Sequence, residues 1–232
     1  MAAVLVAAPQ IEEAEALLRG FRDRAMLSQE VYIGTQKCAS VPALDMLVAV
    51  GGHGKTQFAV QTQHLIDLCP EVKLVVCVGA AGRLKDALSF GDVIVGTKTI
   101  EHDYKVRFVP EPLPSFAADA EALGQFMRGA RALKSPFCVH FGPIASGDED
   151  IVDPVRATEV RQATDALCVA WEGSGGARAA RFSRIGFLEI RVITDAADEH
   201  AAKSFRENLR TVVPNVAELF IARHEARRTL GI

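Results

Sequence analysis

Carboxylate side chains stand directly after predicted strands at three places in the chain. Thr194-Asp195 ends one apolar run, Trp171-Glu172 follows another, and Glu12-Glu13 comes just after the first apolar run and Pro9. A carboxyl group fixed at a strand end can protonate a leaving group, hold a pair of hydroxyl groups, or take a proton from water. Cleavage of an N-glycosidic bond requires an acid that protonates the leaving base, surroundings that tolerate positive charge on the sugar, and water or phosphate as the nucleophile, and carboxylates at strand ends can supply the first two.

Each of these acidic residues also has a purely structural interpretation. Asp195 could cap the helix that follows it, and Glu172 could be an exposed residue at a helix start. The pair Glu12-Glu13 could merely complement a helix dipole, which is the interpretation that we favour for Asp198. Residue type and position alone leave both interpretations open.

Two glycine-rich segments follow predicted strands. Gly51-Gly52-His53-Gly54-Lys55 opens a predicted helix, an arrangement in which backbone N–H groups and the helix dipole face an anion or a polar ligand. Gly79-Ala80-Ala81-Gly82 is predicted to form a second turn of this kind, in which Ala80 and Gly82 are small enough for a ligand to lie against the backbone. Two such turns on neighbouring strands suggest one shared cleft.

The first of these segments differs by one residue from a nucleotide-binding P-loop. That motif requires Gly-x-x-x-x-Gly-Lys-Ser/Thr, and Ala49 stands where its first glycine belongs. A P-loop that binds magnesium and ATP through Lys55 is therefore a minor alternative. A tight turn that binds nothing is another.

Apolar, β-branched runs alternate with segments of helical periodicity along the chain. Strands are predicted at Val4–Ala8, Leu44–Val50, Leu74–Val78, Asp92–Gly96, Phe141–Ala145, Cys168–Ala170 and Ile185–Ile193. Helices are predicted at Glu12–Arg22, Lys55–Leu68, Asp119–Leu133, Val155–Thr164, Gly173–Phe182 and Ala201–Arg228. This alternation indicates an α/β layer fold whose sheet is covered on both faces. With 232 residues and no internal repeat, we predict one domain spanning residues 1–232.

The composition argues against several classes of protein. A formal net charge of -3 provides no basic surface for nucleic acid. The five cysteines are scattered and form neither a CxxC pair nor a His/Cys cluster, so we predict reduced thiols, no metal and no other cofactor. The apolar N-terminus lacks a basic leader, and no apolar stretch approaches the ~20 residues of a membrane span. We therefore expect a cytoplasmic protein without membrane partners.

Taken in order, these segments resemble a known family over nearly the whole chain. The segments that carry the resemblance are Glu12-Glu13, Gly52-His53-Gly54-Lys55, Gly79-Ala80-Ala81-Gly82, Gly91-Asp92-Val93-Ile94-Val95, His102-Asp103, Ser146-Gly147-Asp148, Val169-Ala170-Trp171-Glu172 and Arg191-Val192-Ile193-Thr194-Asp195. They resemble the 5′-methylthioadenosine/S-adenosylhomocysteine nucleosidases and the wider nucleoside phosphorylase superfamily. The resemblance implies a three-layer α/β/α fold with a central mixed, partly barrel-like sheet, a purine nucleoside substrate, and a homodimer or larger homo-oligomer.

The resemblance also implies roles for residues that would bind the nucleoside. Asp195 would protonate or hydrogen-bond the base at N7, with Thr194 beside it and Arg191 supporting this acid. Glu172 would hold the 2′ and 3′ hydroxyl groups of the ribose. Ile151 stands where the family reads the edge of the base with backbone groups.

The attacking water has two candidate bases. Glu13 would activate it, or Glu12 if the alignment shifts by one residue. Glu13 is favoured because it keeps the apolar face of the following helix in step with that of the family.

Three departures from the family concern selectivity. Ala170 and Trp171 replace the middle residues of Val-Glu-Met-Glu, so that one glutamate is missing and an indole borders the site. Glu149-Asp150 stands where the family has an aromatic residue against the base. Ala80 replaces a serine and Arg83 a glycine. The acid and the ribose-binding glutamate are retained, whereas the identity of the base and of the 5′ group stays open.

The nucleophile is either water or phosphate. His53, Lys55 and Arg83 are cations of the glycine-rich segments that could bind phosphate. The Gly-x-Gly-Lys segment is more similar to the hydrolases, so we predict hydrolysis. Phosphorolysis is the alternative, and a nucleoside-binding protein without activity is a second one. The proline-rich segment 108–115 is predicted to be an irregular loop that forms a rim or a subunit contact.

Overall fold

A computed structural model describes residues 2–109 and 111–230 as an alternation of strands and helices. The strands are β1 (Val4–Ala8), β2 (Gln29–Ile33), β3 (Gln36–Val41), β4 (Met46–Val50), β5 (Leu74–Arg83), β6 (Val93–Glu101), β7 (Ser115–Ala117), β8 (Val139–Ser146), β9 (Cys168–Ala170) and β10 (Gly186–Asp195). The helices are α1 (Ile11–Asp23), α2 (Lys55–Leu68), α3 (Ala120–Ala132), α4 (Pro154–Thr164), α5 (Gly173–Phe182), α6 (Ala201–Val212) and α7 (Pro214–Leu230).

All ten strands belong to one sheet that closes on itself. The order β5-β10-β6-β8-β9 returns to β5, because β5 pairs with both β10 and β9. Strands β1, β4, β3 and β2 continue the sheet outward from the first half of β5, where β1 pairs with residues 74–77. Strand β7 pairs with β6. Parallel and antiparallel pairs occur together, since β10 runs parallel to β5 but antiparallel to β6. The predicted α/β fold with a mixed, partly barrel-like sheet is confirmed.

The sheet is buried on both faces, as the continuous apolar runs predict. Side chains alternate along β1, so Val4 and Val6 pack into one core and Leu5 and Ala7 into another. The first core also contains apolar residues of α1, α3, α6 and α7, whereas the second contains those of α2 and α5. The sheet is therefore the middle layer of three.

The glycine-rich segment Gly79-Ala80-Ala81-Gly82 is not a turn. It continues β5 as far as Arg83, and its residues pair with β10 up to Gly82. Small residues are used because other side chains cross directly over this part of the strand, as described below. The prediction of a turn failed because a run of small residues looks the same whether the chain reverses or a neighbour approaches closely.

The C-terminal helical stretch is two helices, where Ala201–Arg228 was predicted as one. Helix α6 ends at Val212 and α7 begins at Pro214, a residue that lacks an N–H to continue a helix and is favoured in the first turn. The stretch begins at Ala201 as predicted, but Asp198 lies before α6 rather than in its first turn, where it accepts a hydrogen bond from the backbone N–H of His200. Among the described residues, no helix has the length and apolar character needed to cross a membrane.

Three strands escaped prediction. The hairpin of β2 and β3 lies at the edge of the sheet and has a mostly polar sequence without apolar alternation. Strand β7 is only three residues long and ends the proline-rich segment 108–115. The rest of that segment has no regular structure over residues 108–109 and 111–114, as expected, and Pro110 lies outside the described residues.

Two helical glycines provide a test of the packing between layers. A Cβ atom on Gly20 of α1 would lie 2.8 Å from Cβ of Ala217 and 2.9 Å from Cα of Pro214, so Gly20→Ala should destabilise the protein by about 1–3 kcal/mol. On Gly124 of α3 the nearest atom would be Nη1 of Arg128 at 3.5 Å, so Gly124→Ala should stabilise it by about 0.5–1 kcal/mol. Urea denaturation measures both. A Gly20→Ala protein as stable as the wild type would contradict the close contact between α1 and α7.

Candidate active site

A cavity of about 310 Å³ lies beyond the carboxyl ends of β1, β9 and β10 and beside the last residues of β5. Helix α6 closes one side with Ala201, Ala202, Phe205 and Arg206. The remaining lining residues are Pro9, Gln10, Glu13, His53, Ala80, Ala81, Gly82, Glu149, Asp150, Ile151, Val152, Val169, Ala170, Trp171, Glu172, Arg191 and Asp195. This volume is at the lower end of the range of small-molecule sites.

Glu13 is a buried carboxyl group on the wall of this cavity. It lies in the first turn of α1, where Oε2 accepts a hydrogen bond from the backbone N–H of Gln10 at 3.0 Å, and Oε1 accepts one from Ala80 at 2.8 Å. Burial raises its pKa from 4.5 to about 7, and the negative charge of Glu172 adds to this effect. Such a group can accept a proton from water near neutral pH. Glu12, one residue earlier on the helix, is exposed and does not line the cavity.

Gly79 makes the approach of Glu13 possible. A Cβ atom at this position would lie 2.6 Å from Oε1 of Glu13 and 2.6 Å from Nη1 of Arg191. The carboxylate and the guanidinium therefore both lie close above the backbone of β5 at this residue. Any residue other than glycine would push one of them away.

Glu172 ends the segment that follows β9 and stands at the start of α5. Its Oε1 accepts a hydrogen bond from the backbone N–H of Gly54 at 3.2 Å and lies 3.5 Å from Nδ1 of His53. Its Oε2 accepts one from Nη2 of Arg191 at 3.3 Å. The side chain is almost fully buried, yet it borders the cavity, so its two oxygens can still accept hydrogen bonds from a pair of hydroxyl groups.

His53 and Trp171 form a stacked pair at the edge of the cavity. Their ring centroids are 4.4 Å apart and the rings are 27° from parallel. The pair covers the side of Glu172 that faces the glycine-rich segment, because His53 contacts this carboxylate as well.

Asp195 is the last residue of β10. Its Oδ1 accepts a hydrogen bond from the backbone N–H of Ala197 at 3.0 Å, and its Oδ2 accepts one from Oγ1 of Thr194 at 2.9 Å. Burial raises its pKa above the usual value, and the nearby charges of Asp198 and Asp150 act in the same direction, while the two hydrogen bonds oppose it. Gly82 leaves room for this carboxyl group, since a Cβ atom there would lie 2.7 Å from Oδ1. Asp195 is therefore placed to donate a proton into the cavity.

Arg191 lies behind these acidic groups and is 1% exposed. Its Nε donates a hydrogen bond to Oε1 of Glu189 at 2.8 Å, and Nη1 lies 3.4 Å from the carbonyl oxygen of Ala80. The guanidinium thus connects the carboxylate of Glu172 with the strand that carries Ala80.

The N-terminus of α2 is occupied by carboxylates of the protein. The backbone N–H of Gly54 bonds to Glu172, as above, and that of Lys55 donates to Oδ1 of Asp148 at 2.7 Å. The ammonium group of Lys55 is held by Glu101 at 2.9 Å and by Asp103 at 2.6 Å. The donors that a P-loop presents to phosphate are thus engaged elsewhere, which argues against the ATP-binding alternative.

Arg83 also points away from the cavity. Its Nη1 donates a hydrogen bond to the carbonyl oxygen of Leu88 at 2.7 Å, and its guanidinium lies 5.5 Å from the ring centre of Phe90. Of the three cations that the sequence suggested for phosphate, only His53 lines the cavity.

Most of the residues that the sequence suggested come together in this cavity. Those that line it are Glu13, His53, Ala80, Gly82, Ile151, Trp171, Glu172, Arg191 and Asp195. Thr194 is fully buried behind Asp195, and the side chain of Ile151 packs into an apolar cluster next to Leu84. Glu149 is bound by Arg156 through two hydrogen bonds of 2.7 Å, so Asp150 is the residue of this pair that is free to face a ligand.

Sequence analysis missed the contribution of α6 and the buried Glu189. Phe205 and Arg206 lie on the cavity side of α6, and no local motif distinguishes them from other residues of an amphipathic helix. Glu189 could have been noticed as a charged residue inside a buried and mostly apolar strand.

Comparison with known proteins gives consistent findings. The family described as "Phosphorylase superfamily" matches residues 2–223. The 5′-methylthioadenosine/S-adenosylhomocysteine nucleosidase of Exiguobacterium sp. is 31% identical over 188 residues, which cover 77% of this chain and 79% of that protein. The crystal structure of the nucleosidase of that name from Neisseria meningitidis, in complex with methylthio-immucillin-A, is similar with a TM-score of 0.82, 29% identity, and coverage of 97% and 99%. The futalosine hydrolase of Helicobacter pylori has the same fold, with a TM-score of 0.82, 22% identity, and coverage of 96% and 97%.

The raised pKa of Glu13 predicts a pH-dependent cost to stability. Because its pKa in the folded protein, about 7, exceeds the value of 4.5 for a free side chain, ionisation opposes folding. This cost is absent at low pH, appears as the pH rises above about 4.5, and is complete above about 7. Glu13→Gln cannot ionise and therefore avoids this cost. Between about pH 5 and about pH 8.5, the difference in free energy of unfolding between the variant and the wild type should change by about 2–3 kcal/mol in favour of the variant.

Urea denaturation at both pH values measures this difference, and the exposed Glu12→Gln is the matched control. The amide of the E13Q protein can accept only one of the two backbone hydrogen bonds, which lowers its stability equally at both pH values. A constant difference between E13Q and the wild type across this range would show that Glu13 does not titrate as described.

Proposed function

The chain belongs to the phosphorylase superfamily. We propose that it is an N-glycosyl hydrolase that cleaves 5′-modified purine nucleosides such as methylthioadenosine and S-adenosylhomocysteine. The proposal rests on one observation above all. Two buried carboxyl groups with raised pKa values, Glu13 and Asp195, line one cavity together with a third carboxylate, Glu172. A base, an acid and a binding group for a diol are what hydrolysis of a ribosyl bond requires.

Asp195 acts as the general acid. Burial raises its pKa and so favours the protonated form, and transfer of that proton to N7 lets the purine leave as a neutral base while positive charge develops on the ribose. The hydroxyl group of Thr194 fixes one carboxyl oxygen, and the N–H of Ala197 fixes the other. The acid is therefore held in one orientation before the substrate arrives.

Glu172 and Glu13 act on the ribose side of the bond. Glu172 accepts hydrogen bonds from the 2′ and 3′ hydroxyl groups, and Arg191, His53 and the N–H of Gly54 keep its carboxylate in place. Glu13 accepts a proton from the water molecule whose oxygen attacks C1′ as the bond to the base breaks. The N–H groups of Gln10 and Ala80 orient it toward that water.

Water is favoured over phosphate as the nucleophile. Lys55 and Arg83 are engaged with other groups of the protein, and Arg191 is neutralised by Glu189 and Glu172. His53 and the exposed Arg206 are the cations left to bind phosphate among the described lining residues. Phosphorolysis through these two residues is the alternative.

Release of free base from a panel of nucleosides tests the reaction. Methylthioadenosine, S-adenosylhomocysteine, adenosine and inosine are incubated with the protein, with and without phosphate, and the free base is quantified. We expect release without phosphate, and fastest release from the 5′-thio nucleosides. Strict dependence on phosphate would favour the phosphorylase. Binding of nucleosides without any release would indicate a binding protein and contradict the enzymatic proposal.

The variant Asp195→Asn should lose activity by a factor of about 10² or more, because an amide cannot transfer a proton to N7. Asp119→Asn is the matched control, since Asp119 caps α3 by accepting a hydrogen bond from Ala122 and does not line the cavity. The control should lower the stability and leave the rate of base release unchanged. An Asp195→Asn protein with full activity would refute the assignment of the acid.

A homodimer is proposed as well, and exposed apolar side chains between β6 and β7 support it. Val106, Phe108 and Val109 face solvent in this segment, although side chains of this kind are normally covered. A second copy of the chain would cover them. We also propose a cytoplasmic location, consistent with five free cysteines.

The variant Phe108→Ser should weaken this dimer because it removes an apolar contact. Sedimentation velocity over a range of protein concentrations measures the effect. The variant should dissociate into monomers at a higher protein concentration than the wild type does. Val60→Ser, in the exposed part of α2, is the control for loss of an exposed apolar residue elsewhere. A wild-type protein that stays monomeric at all concentrations would contradict the dimer.

A further inference from the structure

Glu189 is a buried carboxylate that lies outside the cavity lining. It stands on β10 two residues before Arg191, so both side chains leave the strand on the same face. The residue is 1% exposed, and its neighbours Leu188 and Ile190 are apolar. An ionised group at such a position is costly unless it is paired, so its partners show what it does.

Its partners are the guanidinium of Arg191 and the hydroxyl group of Thr99. Oε1 accepts a hydrogen bond from Nε of Arg191 at 2.8 Å, and Oε2 accepts one from Oγ1 of Thr99 on β6. Oε2 also lies against Gly173 so closely that a Cβ atom on this residue would collide with it. The carboxylate is therefore fixed from three sides, by β6, by β10 and by the first residue of α5.

The bond to Glu189 determines how the guanidinium of Arg191 is oriented. Of the contacts that Arg191 makes, the one with Glu189 is the shortest at 2.8 Å, whereas those with Glu172, Cys77 and Ala80 measure 3.3–3.4 Å. The guanidinium is planar and rigid, so fixing Nε fixes the directions of both terminal nitrogens. Nη2 then points at Glu172 and Nη1 at the carbonyl oxygen of Ala80.

Glu189 also leaves Glu172 free for a ligand. One buried guanidinium carries one positive charge, and Glu189 neutralises it from the side away from the cavity. The longer contact of 3.3 Å between Arg191 and Glu172 orients the latter without using all the acceptor sites of its carboxylate. Without Glu189, Arg191 would be drawn closer to Glu172 and Glu13.

From this geometry we infer that Glu189 is a positioning residue, which aligns Arg191 and thereby holds Glu172 ready for the ribose and balances the charge beside Glu13. The inference rests on the proposed function, because it assigns the ribose to Glu172 and the water to Glu13. Glu189 itself touches neither the substrate nor the water.

The variant Glu189→Gln tests this role because it keeps the shape and removes the charge. We expect KM for the nucleoside to rise about tenfold with a smaller fall in kcat, since the main loss is the alignment of Glu172. The acidic limb of the pH profile of kcat/KM should move to lower pH. It moves in this direction because the charge of Arg191 is then less compensated and stabilises the ionised form of Glu13.

Two further variants separate positioning from stability. Thr99→Val removes only the hydroxyl group that holds Glu189, so it should change KM and the pH profile in the same direction by a smaller factor. Gln125→Met is the matched control. It removes the side-chain oxygen that accepts a hydrogen bond from another buried arginine, Arg223 of α7, and neither residue lines the cavity. It should lower the stability and change neither KM nor the pH profile.

A Glu189→Gln protein that loses stability but keeps the wild-type KM and pH profile, as Q125M does, would overturn the inference. Wild-type protein is measured in parallel, and absence of base release from it would contradict the proposed function instead. The affinity for a C-nucleoside, whose base is joined by a carbon–carbon bond and cannot be hydrolysed, is measured by calorimetry for all variants. A loss of affinity of about tenfold in E189Q supports the positioning role without turnover, and an unchanged affinity refutes it.

Discussion

The burial of one arginine constrains the arrangement of the whole cavity. A guanidinium ion removed from water must be neutralised and its N–H groups must find acceptors, or the fold loses several kcal/mol. Arg191 meets this requirement with Glu189, Glu172 and the carbonyl oxygen of Ala80. Because these groups come from β10, from the start of α5 and from β5, the geometry of the site depends on the pairing of β10 with β5 and on the position of α5 beside them.

Glycine is needed wherever a buried polar side chain of the site lies directly against the backbone. Gly79 lies under the side chains of Glu13 and Arg191, Gly82 lies under Asp195, and Gly173 lies against Glu189. Each glycine allows a side chain to approach within the space that a Cβ atom would fill. The segment Gly79-Ala80-Ala81-Gly82, which was predicted as a turn, is thus part of a strand, and its small residues let the carboxyl groups of Glu13 and Asp195 lie close to the backbone.

The carboxyl groups are held at a cost to stability, which is typical of active sites. Burial raises the pKa of both Glu13 and Asp195, so the folded protein disfavours the charged form that water would stabilise. The same burial gives Glu13 the affinity for a proton that a base needs near neutral pH, and it increases the affinity of Asp195 for the proton that an acid donates. Burial of these two carboxyl groups therefore serves the proposed activity but lowers the stability of the folded protein.

The alternation of the buried strands with helices, and the acidic residues at strand ends, follow from the sequence alone, because apolar periodicity and the position of a residue after a strand are local properties. Strand β9 and helices α2 and α5 have the predicted bounds, and Asp195 and Glu172 stand where the motifs indicated. The sequence favoured Glu13 but left Glu12 as an alternative, because adjacent residues of a helix point about 100° apart and only the packing of α1 on the sheet places one of them at the cavity. It could not show that Lys55 turns to Glu101 and Asp103, or that Glu189 faces Arg191, because these contacts join residues far apart in the chain and exist only once the sheet has closed.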